Sequence, residues 1–290
     1  MSTSSASAAK TAVLRLNCPD RPGIVHAVSG FIAERGGNIL TSQQHCEELG
    51  QRFFMRVHFD CSAATVTRHQ VREDLAALAA KYEMDATLNF ADERKRMAIM
   101  VSKADHCLYD LLLRHQYGEL LVDVACVVSN HLDLEHVAGN FRVPFFYIPM
   151  AKEQKVEGEA RQQEIFRQHH IDFLVMARYM QILSGEFCAF WKNRVINVHH
   201  GLLPAFKGAK PYHQAYARGV KLIGATAHYA TEDLDDGPII AQQALPVTHS
   251  HSVQDMIALG REAEKRALAE AVRAHAEDRI LVYEDRTIVF

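Results

Sequence analysis

Three residue types that together could move a proton and hold a developing negative charge lie near one another in a single stretch. Asn197 and His199 stand at the end of a short apolar run that begins at Val195. If that run is a strand, the alternation of side chains sends the amide and the imidazole to the same side. Further on, Asp233-Leu234-Asp235-Asp236-Gly237-Pro238 supplies acidic turn chemistry just ahead of the apolar Ile239-Ile240-Ala241. An amide donor, an imidazole and a carboxylate converging on one pocket are the parts needed to polarise a carbonyl, stabilise an oxyanion and transfer a proton. Most of the 17 histidines need no such role; the neighbouring amide and acidic turn single out His199. His200, on the other face of such a strand, is expected to pack rather than react. A metal reading would gather His199, His200, His213 and Asp235, but neither a helical His pair nor a Cys pair backs it, so no metal is expected.

Asn197-x-His199 is followed by Gly201-Leu202-Leu203-Pro204, and then by His228, Thr231, Leu234, Asp235, Gly237 and Pro238 in the pattern His-x-x-Thr-x-x-Leu-Asp-x-Gly-Pro. This stretch resembles the core of the folate-dependent formyltransferases, whose one-carbon donor is 10-formyltetrahydrofolate. The resemblance implies catalytic roles for Asn197, His199 and Asp235. It also implies a pterin site between the segment Ala177–Ser184, with Met180, Gln181 and Leu183, and a second wall that includes His228, Ala230, Thr231 and Glu232. Gln181 stands where many relatives have Arg. Lys207 and Lys210 could meet the glutamate tail of the folate.

That family divides by acceptor: the amine of a ribonucleotide, the amine of a charged tRNA, or water. Ribonucleotide-acting relatives carry a glycine-rich loop after the first catalytic strand, whose N–H groups cradle phosphate. The corresponding stretch here, Val101–Leu108, contains no glycine, and Asp105 would repel phosphate. The tRNA-acting relatives begin with the catalytic domain and add a basic C-terminal one, whereas here a small domain comes first. The combination, with His106-Cys107-Leu108, resembles the deformylase branch. It implies hydrolysis of 10-formyltetrahydrofolate to tetrahydrofolate and formate, with the folate as substrate and no cofactor. Formyl transfer to an amine of a ribonucleotide or sugar nucleotide, and non-catalytic folate or amino-acid sensing, are the alternatives. The first would need a nucleotide site that the sequence does not display; the second would have no use for the three catalytic residue types.

The 290 residues are 48% hydrophobic and 23% charged, an ordinary globular balance with room for two domains. A formal charge of −3 offers no basic footprint for nucleic acid. No uncharged apolar run reaches the roughly 18 residues a membrane helix needs, and Arg178 interrupts the best candidate. The six cysteines, Cys18, Cys46, Cys61, Cys107, Cys126 and Cys188, form no close pair, which suggests free thiols in the cytoplasm.

The elements that must position the site are preceded by what reads as a separate domain. Residues 12–17 alternate as a strand. In the turn that follows, Asp20 can cap a helix and Pro22 can enter its first turn. Ile24, Val28, Phe31 and Ile32 then fall at helical spacing, and Gly36-Gly37 stops the helix. Strands over 38–46 and 52–59, an amphipathic helix over 64–82 and a strand over 85–90 complete a ferredoxin-like βαββαβ order. The Asp20-Arg21-Pro22-Gly23-Ile24-Val25 turn with Gly36-Gly37-Asn38-Ile39 resembles an ACT domain. That implies a regulatory amino-acid site at Asp20, Gly23 and Asn38, and a homo-oligomer paired through edges. Gly23 is expected where a ligand or partner backbone comes close.

Residues 1–10 are thus expected to be a flexible leader, 11–91 the ACT-like domain, 92–96 a charged linker and 97–290 the catalytic domain. In the last, strands over 97–101, 122–128, 143–148, 173–176 and 195–198 alternate with helices over 106–116, 132–138 and 158–169. This predicts an α/β fold with a doubly wound, mostly parallel, Rossmann-like sheet. Sites in such sheets lie beyond the carboxyl ends of the strands, where Asn197 and His199 stand. Ser252-Val253-Gln254-Asp255 is a capping box for a helix reaching 276, and 279–283 with 287–290 suggest a closing hairpin.

Overall fold

The structure, a computed structural model, describes residues 10–151, 154–205 and 211–290. The leader before Lys10 and the two lysines at 207 and 210 lie outside the described residues. The chain divides into two units: one runs to Glu93 and includes Asp278–Leu281 and Ile288–Phe290, the other comprises Arg94–Glu277 with Val282–Thr287.

The first unit orders β1 (Thr11–Pro19), α1 (Ile24–Ala33), β2 (Asn38–Glu47), β3 (Arg52–Asp60), α2 (Arg68–Tyr82) and β4 (Asp85–Phe90). Its antiparallel sheet runs β2-β3-β1-β4. Leu14 and Leu16 of β1, Met55 and Val57 of β3, and Val28 and Ile32 of α1 fill one core between sheet and helices. The alternation seen in the sequence of β1 is therefore the alternation of buried and partly exposed positions.

Three details differ from the sequence reading. The N-cap of α1 is Gly23, at φ 94°, and no side chain caps it; Asp20 does not. A Cβ on Gly23 would meet no atom of this chain within 4 Å, so within the chain glycine here serves the left-handed turn. Helix α2 starts at Arg68 because Thr67 caps it by accepting the Gln70 N–H. Finally, residues 278–281 and 288–290, which the sequence reading gave to the second domain, group with the first. Arg15 donates to the Ile280 carbonyl at 2.7 Å and pairs with Asp278 at 3.2 Å, while Arg56 donates to the Asp278 carbonyl at 2.9 Å.

The second unit contains β5 (Arg96–Val101), α3 (His106–Gln116), β6 (Asp123–Ser129), α4 (Glu135–Asn140), β7 (Phe145–Tyr147), α5 (Lys155–Gln168), β8 (Phe173–Met176), α6 (Gly185–Phe190), β9 (Val195–His199), α7 (Pro211–Arg218), β10 (Leu222–Tyr229), β11 (Ile239–Pro246) and α8 (Val253–Ala276). A short hairpin, β12 (Ile280–Tyr283) and β13 (Arg286–Val289), closes the chain. The sheet order is β11-β10-β9-β8-β5-β6-β7, parallel from β7 through β9 and antiparallel at β10 and β11. Met97–Val101 and all of β8 are buried, the mark of parallel strands covered on both faces. The capping box at Ser252 and Asp255 forms as the sequence predicts, and α8 packs across β9, β10 and β11. The sequence pattern does not by itself specify the short α6 and α7 or the antiparallel β10 and β11, since segments of six to eight residues repeat a helical or strand period too few times to tell the two apart.

Strands β5, β8 and β9 are neighbours, so their carboxyl ends deliver Ser102, Arg178 and His199 to one rim. Close strand contact is part of this arrangement: a Cβ on Gly224 of β10 would run into the Gln243 carbonyl oxygen of β11. Gly224→Ala should therefore lower stability by about 1–3 kcal/mol, read as a drop in the denaturant midpoint.

Candidate active site

A cavity of about 590 Å³ opens at that rim. Its walls come from the loops after β5 and β8, the end of β9, the acidic loop before β11, and helices α7 and α8. The loop after β8 is fixed from behind. Its Met180 N–H donates to Ser102 Oγ at 3.0 Å, its Tyr179 hydroxyl accepts from Gln162 at 2.8 Å, and its Ser184 N–H donates to Glu159 at 2.8 Å. Met180, Ile182 and Leu234 line the cavity yet stay 60%, 58% and 56% exposed. Large apolar side chains left open beside a cavity make a wall for a flat ring.

Asn197, His199 and Asp235 line this one cavity. His199 Nδ1 lies 3.0 Å from Asp235 Oδ2, with both side chains almost buried at 3% and 8% exposure. Asp235 adopts a left-handed backbone at φ 56°, a conformation Asp tolerates better than most residues, and this turns its carboxylate back toward the imidazole. Gly201 leaves room for the ring, since a Cβ there would come within 2.9 Å of His199 Nε2. That Nε2 is buried and has no hydrogen-bond partner among the described residues. Buried polar atoms without a partner are uncommon and often mark a place where a ligand supplies one.

Asn197 is oriented by His228. Burial lowers the His228 imidazole below its ordinary 6.5, keeping it neutral, and its Nδ1 donates to the Tyr229 carbonyl at 2.9 Å. Its Nε2 is then an acceptor, 3.1 Å from Asn197 Nδ2. One N–H of the amide is thus engaged and the second remains for another acceptor. His228 Nε2 also lies 3.9 Å from Asp235 Oδ1, so both histidines flank the carboxylate.

Of the remaining sequence-derived residues, Met180 and Gln181 line the cavity. Leu183 packs in the core beside Phe187 and Trp191, with Ala230 against the same cluster. The Thr231 hydroxyl donates to the Asp233 carbonyl, and the Glu232 carboxylate covers Gly185. Asp20, Gly23 and Asn38 lie exposed in the first unit. His200 departs from expectation: β9 ends at His199, strand alternation stops applying, and His200 lines the same cavity. Among the described residues, the three potential ligands that cluster within 4.8 Å are His106, Cys107 and Glu264, not the set around His199. Arg178, within the segment assigned to the pterin site, also lines the cavity, as do Tyr212, Ile257 and Glu264, which escaped the sequence reading. The available signal for Glu264 was one acid on the helical face that carries Gly260, Ala267 and Leu268.

Burial, followed by the charge of Arg178, pushes His200 down to about 4 from its ordinary 6.5. The unfolded chain therefore binds this proton where the native protein does not, and stability must fall as pH drops from 6.5 toward about 4. His200→Gln should lose less stability than the parent across that window, measured by denaturant unfolding at a series of pH values.

Known proteins match this arrangement closely. Residues 95–272 match the Formyl transferase family and residues 12–78 the ACT domain. The chain is 45% identical over 278 residues to the formyltetrahydrofolate deformylase of Bacillus subtilis, covering 96% of this chain and 93% of that one. It is 43% identical to the Synechocystis formyltetrahydrofolate deformylase, over 97% and 98% of the two chains. Among solved structures, a formyltetrahydrofolate deformylase from Pseudomonas syringae pv. tomato superposes with a TM-score of 0.95 at 42% identity, over 99% of this chain and 96% of that one. With both domains matched in order and the match running almost end to end, the chain belongs to the formyltetrahydrofolate deformylase family.

Proposed function

We propose that the protein hydrolyses 10-formyltetrahydrofolate to tetrahydrofolate and formate. The observation that carries this reading is the convergence of Asn197, His199 and Asp235 on one cavity, with imidazole and carboxylate 3.0 Å apart. The apolar wall of Met180, Ile182 and Leu234 suits the pterin ring of the substrate.

The free N–H of Asn197 orients the formyl oxygen. His199, with its Nδ1 side held by Asp235, donates its Nε2–H to the same oxygen as the carbonyl carbon becomes tetrahedral. Asp235 accepts a proton from the attacking water and returns it to N10 as the C–N10 bond breaks. The Nδ1 contact fixes how the imidazole faces, so the donor to the oxyanion and the base for water are placed by the same contact. A formamide on an aryl amine is an activated acyl donor, and the scheme requires no metal.

The first unit is proposed to take an amino-acid effector at Asp20, Gly23 and Asn38, and to pair copies of the chain through its sheet edge. The six cysteines are all free thiols, which supports a cytoplasmic setting. Among the described residues no helix is long and apolar enough to cross a membrane.

Asp235→Asn keeps the size of the side chain and removes the base. Formate release should fall by at least about 10²–10³-fold, the scale of losing one such group. Folate binding should persist, measured by fluorescence quenching. Full turnover in the variant would overturn the role of Asp235, and so would loss of folding without a specific catalytic defect.

A further inference from the structure

The catalytic cavity holds a second polar cluster that the hydrolysis scheme leaves unused. Glu264, on α8, is only 2% exposed. Its carboxylate accepts from His106 Nε2 at 2.8 Å and from the Tyr212 hydroxyl at 3.0 Å, with Arg178 Nε 3.5 Å away. Burial opposes the charge on Glu264, but the His106 hydrogen bond and the Arg178 charge outweigh it and hold the carboxyl below its ordinary 4.5. The cluster draws side chains from the start of α3, the start of α7 and the middle of α8 into one contact. Gly260 makes this possible, because a Cβ there would overlap the Tyr212 ring.

This cluster sits beside the reacting groups. The His200 ring lies 5.3 Å from His199 and 6.0 Å from Tyr212, bridging the two sets, and all of them line the same cavity. His106 opens α3, directly after the loop that follows β5. An acceptor amine reaching the formyl carbon from that side would have to displace the His106–Glu264 contact. Doing so takes away one of the three partners that hold a buried carboxylate, which is unfavourable. A water molecule, needing only about 30 Å³, requires no such displacement.

We propose that His106, Glu264 and Tyr212 select the acceptor: they close the α3–α8 end of the cavity to amines and leave water as the nucleophile. The proposal rests on the hydrolytic reading. In hydrolysis the water oxygen bonds the formyl carbon, one water proton passes to N10 as the C–N10 bond breaks, and formic acid leaves, releasing the second proton to solvent as it becomes formate. With an amine, its nitrogen takes the place of the water oxygen, the same bond breaks, a proton passes from that nitrogen to N10, and an N-formyl amide leaves instead. His106 Nε2, Cys107 Sγ and the Glu264 carboxylate could also accept a zinc ion. The Arg178 cation next to the carboxylate and the Tyr212 hydroxyl bound to it favour the hydrogen-bonded closure.

The test mixes full-length protein with 10-formyltetrahydrofolate and excess glycinamide, counting formate and N-formylglycinamide together. The parent should give formate alone. In His106→Ala and Glu264→Gln the ratio of transferred to hydrolysed formyl should rise by about tenfold or more, the scale on which one pocket contact discriminates between competitors. Tyr212→Phe, which removes a single hydroxyl, supplies the ratio should either variant fail to fold. A parent-like ratio in folded, substrate-consuming variants overturns the closure alone. A parent that releases no formate overturns the hydrolytic reading and this inference together. Loss of parental turnover on chelation, restored by zinc, assigns the cluster to a metal and overturns the closure.

Discussion

The contact between His199 and Asp235 is the constraint on which the rest of the site depends. Two groups 36 positions apart in the chain must meet at 3.0 Å in a nearly dry environment. There each governs the proton of the other, and neither could be moved without changing what the other can donate or accept. Asn197 has to be placed beside them with one amide proton spare, and His228 does this by remaining neutral.

Several otherwise unremarkable residues follow from that requirement. The loop carrying Asp235 must press against the end of β10, and Gly237 permits it, since a Cβ there would overlap the Tyr229 carbonyl oxygen. The Tyr229 N–H donates to the Pro238 carbonyl at 2.9 Å and pins the loop there. Asp235 itself takes a left-handed backbone, a modest cost that the surrounding packing holds in place. On the opposite side, Gly201 leaves space for the imidazole. The parallel strands β5, β8 and β9 then do what adjacent parallel strands do: their carboxyl ends bring distant segments to one rim.

Much of this was legible in the sequence where local rules apply. The βαββαβ order, the alternation that gives the parallel sheet, the capping box of α8 and the shared side of Asn197 and His199 all come from short-range periodicity and turn chemistry. Rules extended past their element failed. Asp20 has the right type for a cap, but Gly23 sits at the cap position. His200 faces away from His199 only while the strand lasts, and β9 stops one residue earlier. The Glu264 cluster was out of reach for a different reason. Its members come from 106, 178, 212 and 264, and what joins them is burial and charge across the folded sheet rather than spacing. An acid on an amphipathic helix reads as a solvated face until its neighbours are known.

The account stands on water being the acceptor of the formyl group at the Asn197, His199 and Asp235 centre. The most direct measurement is turnover of 10-formyltetrahydrofolate in oxygen-18-enriched water, without any amine, with the formate analysed by mass spectrometry. Formate carrying one labelled oxygen, formed in proportion to enzyme, is the predicted result. Formate without label, or no formate until an amine is added, would contradict it.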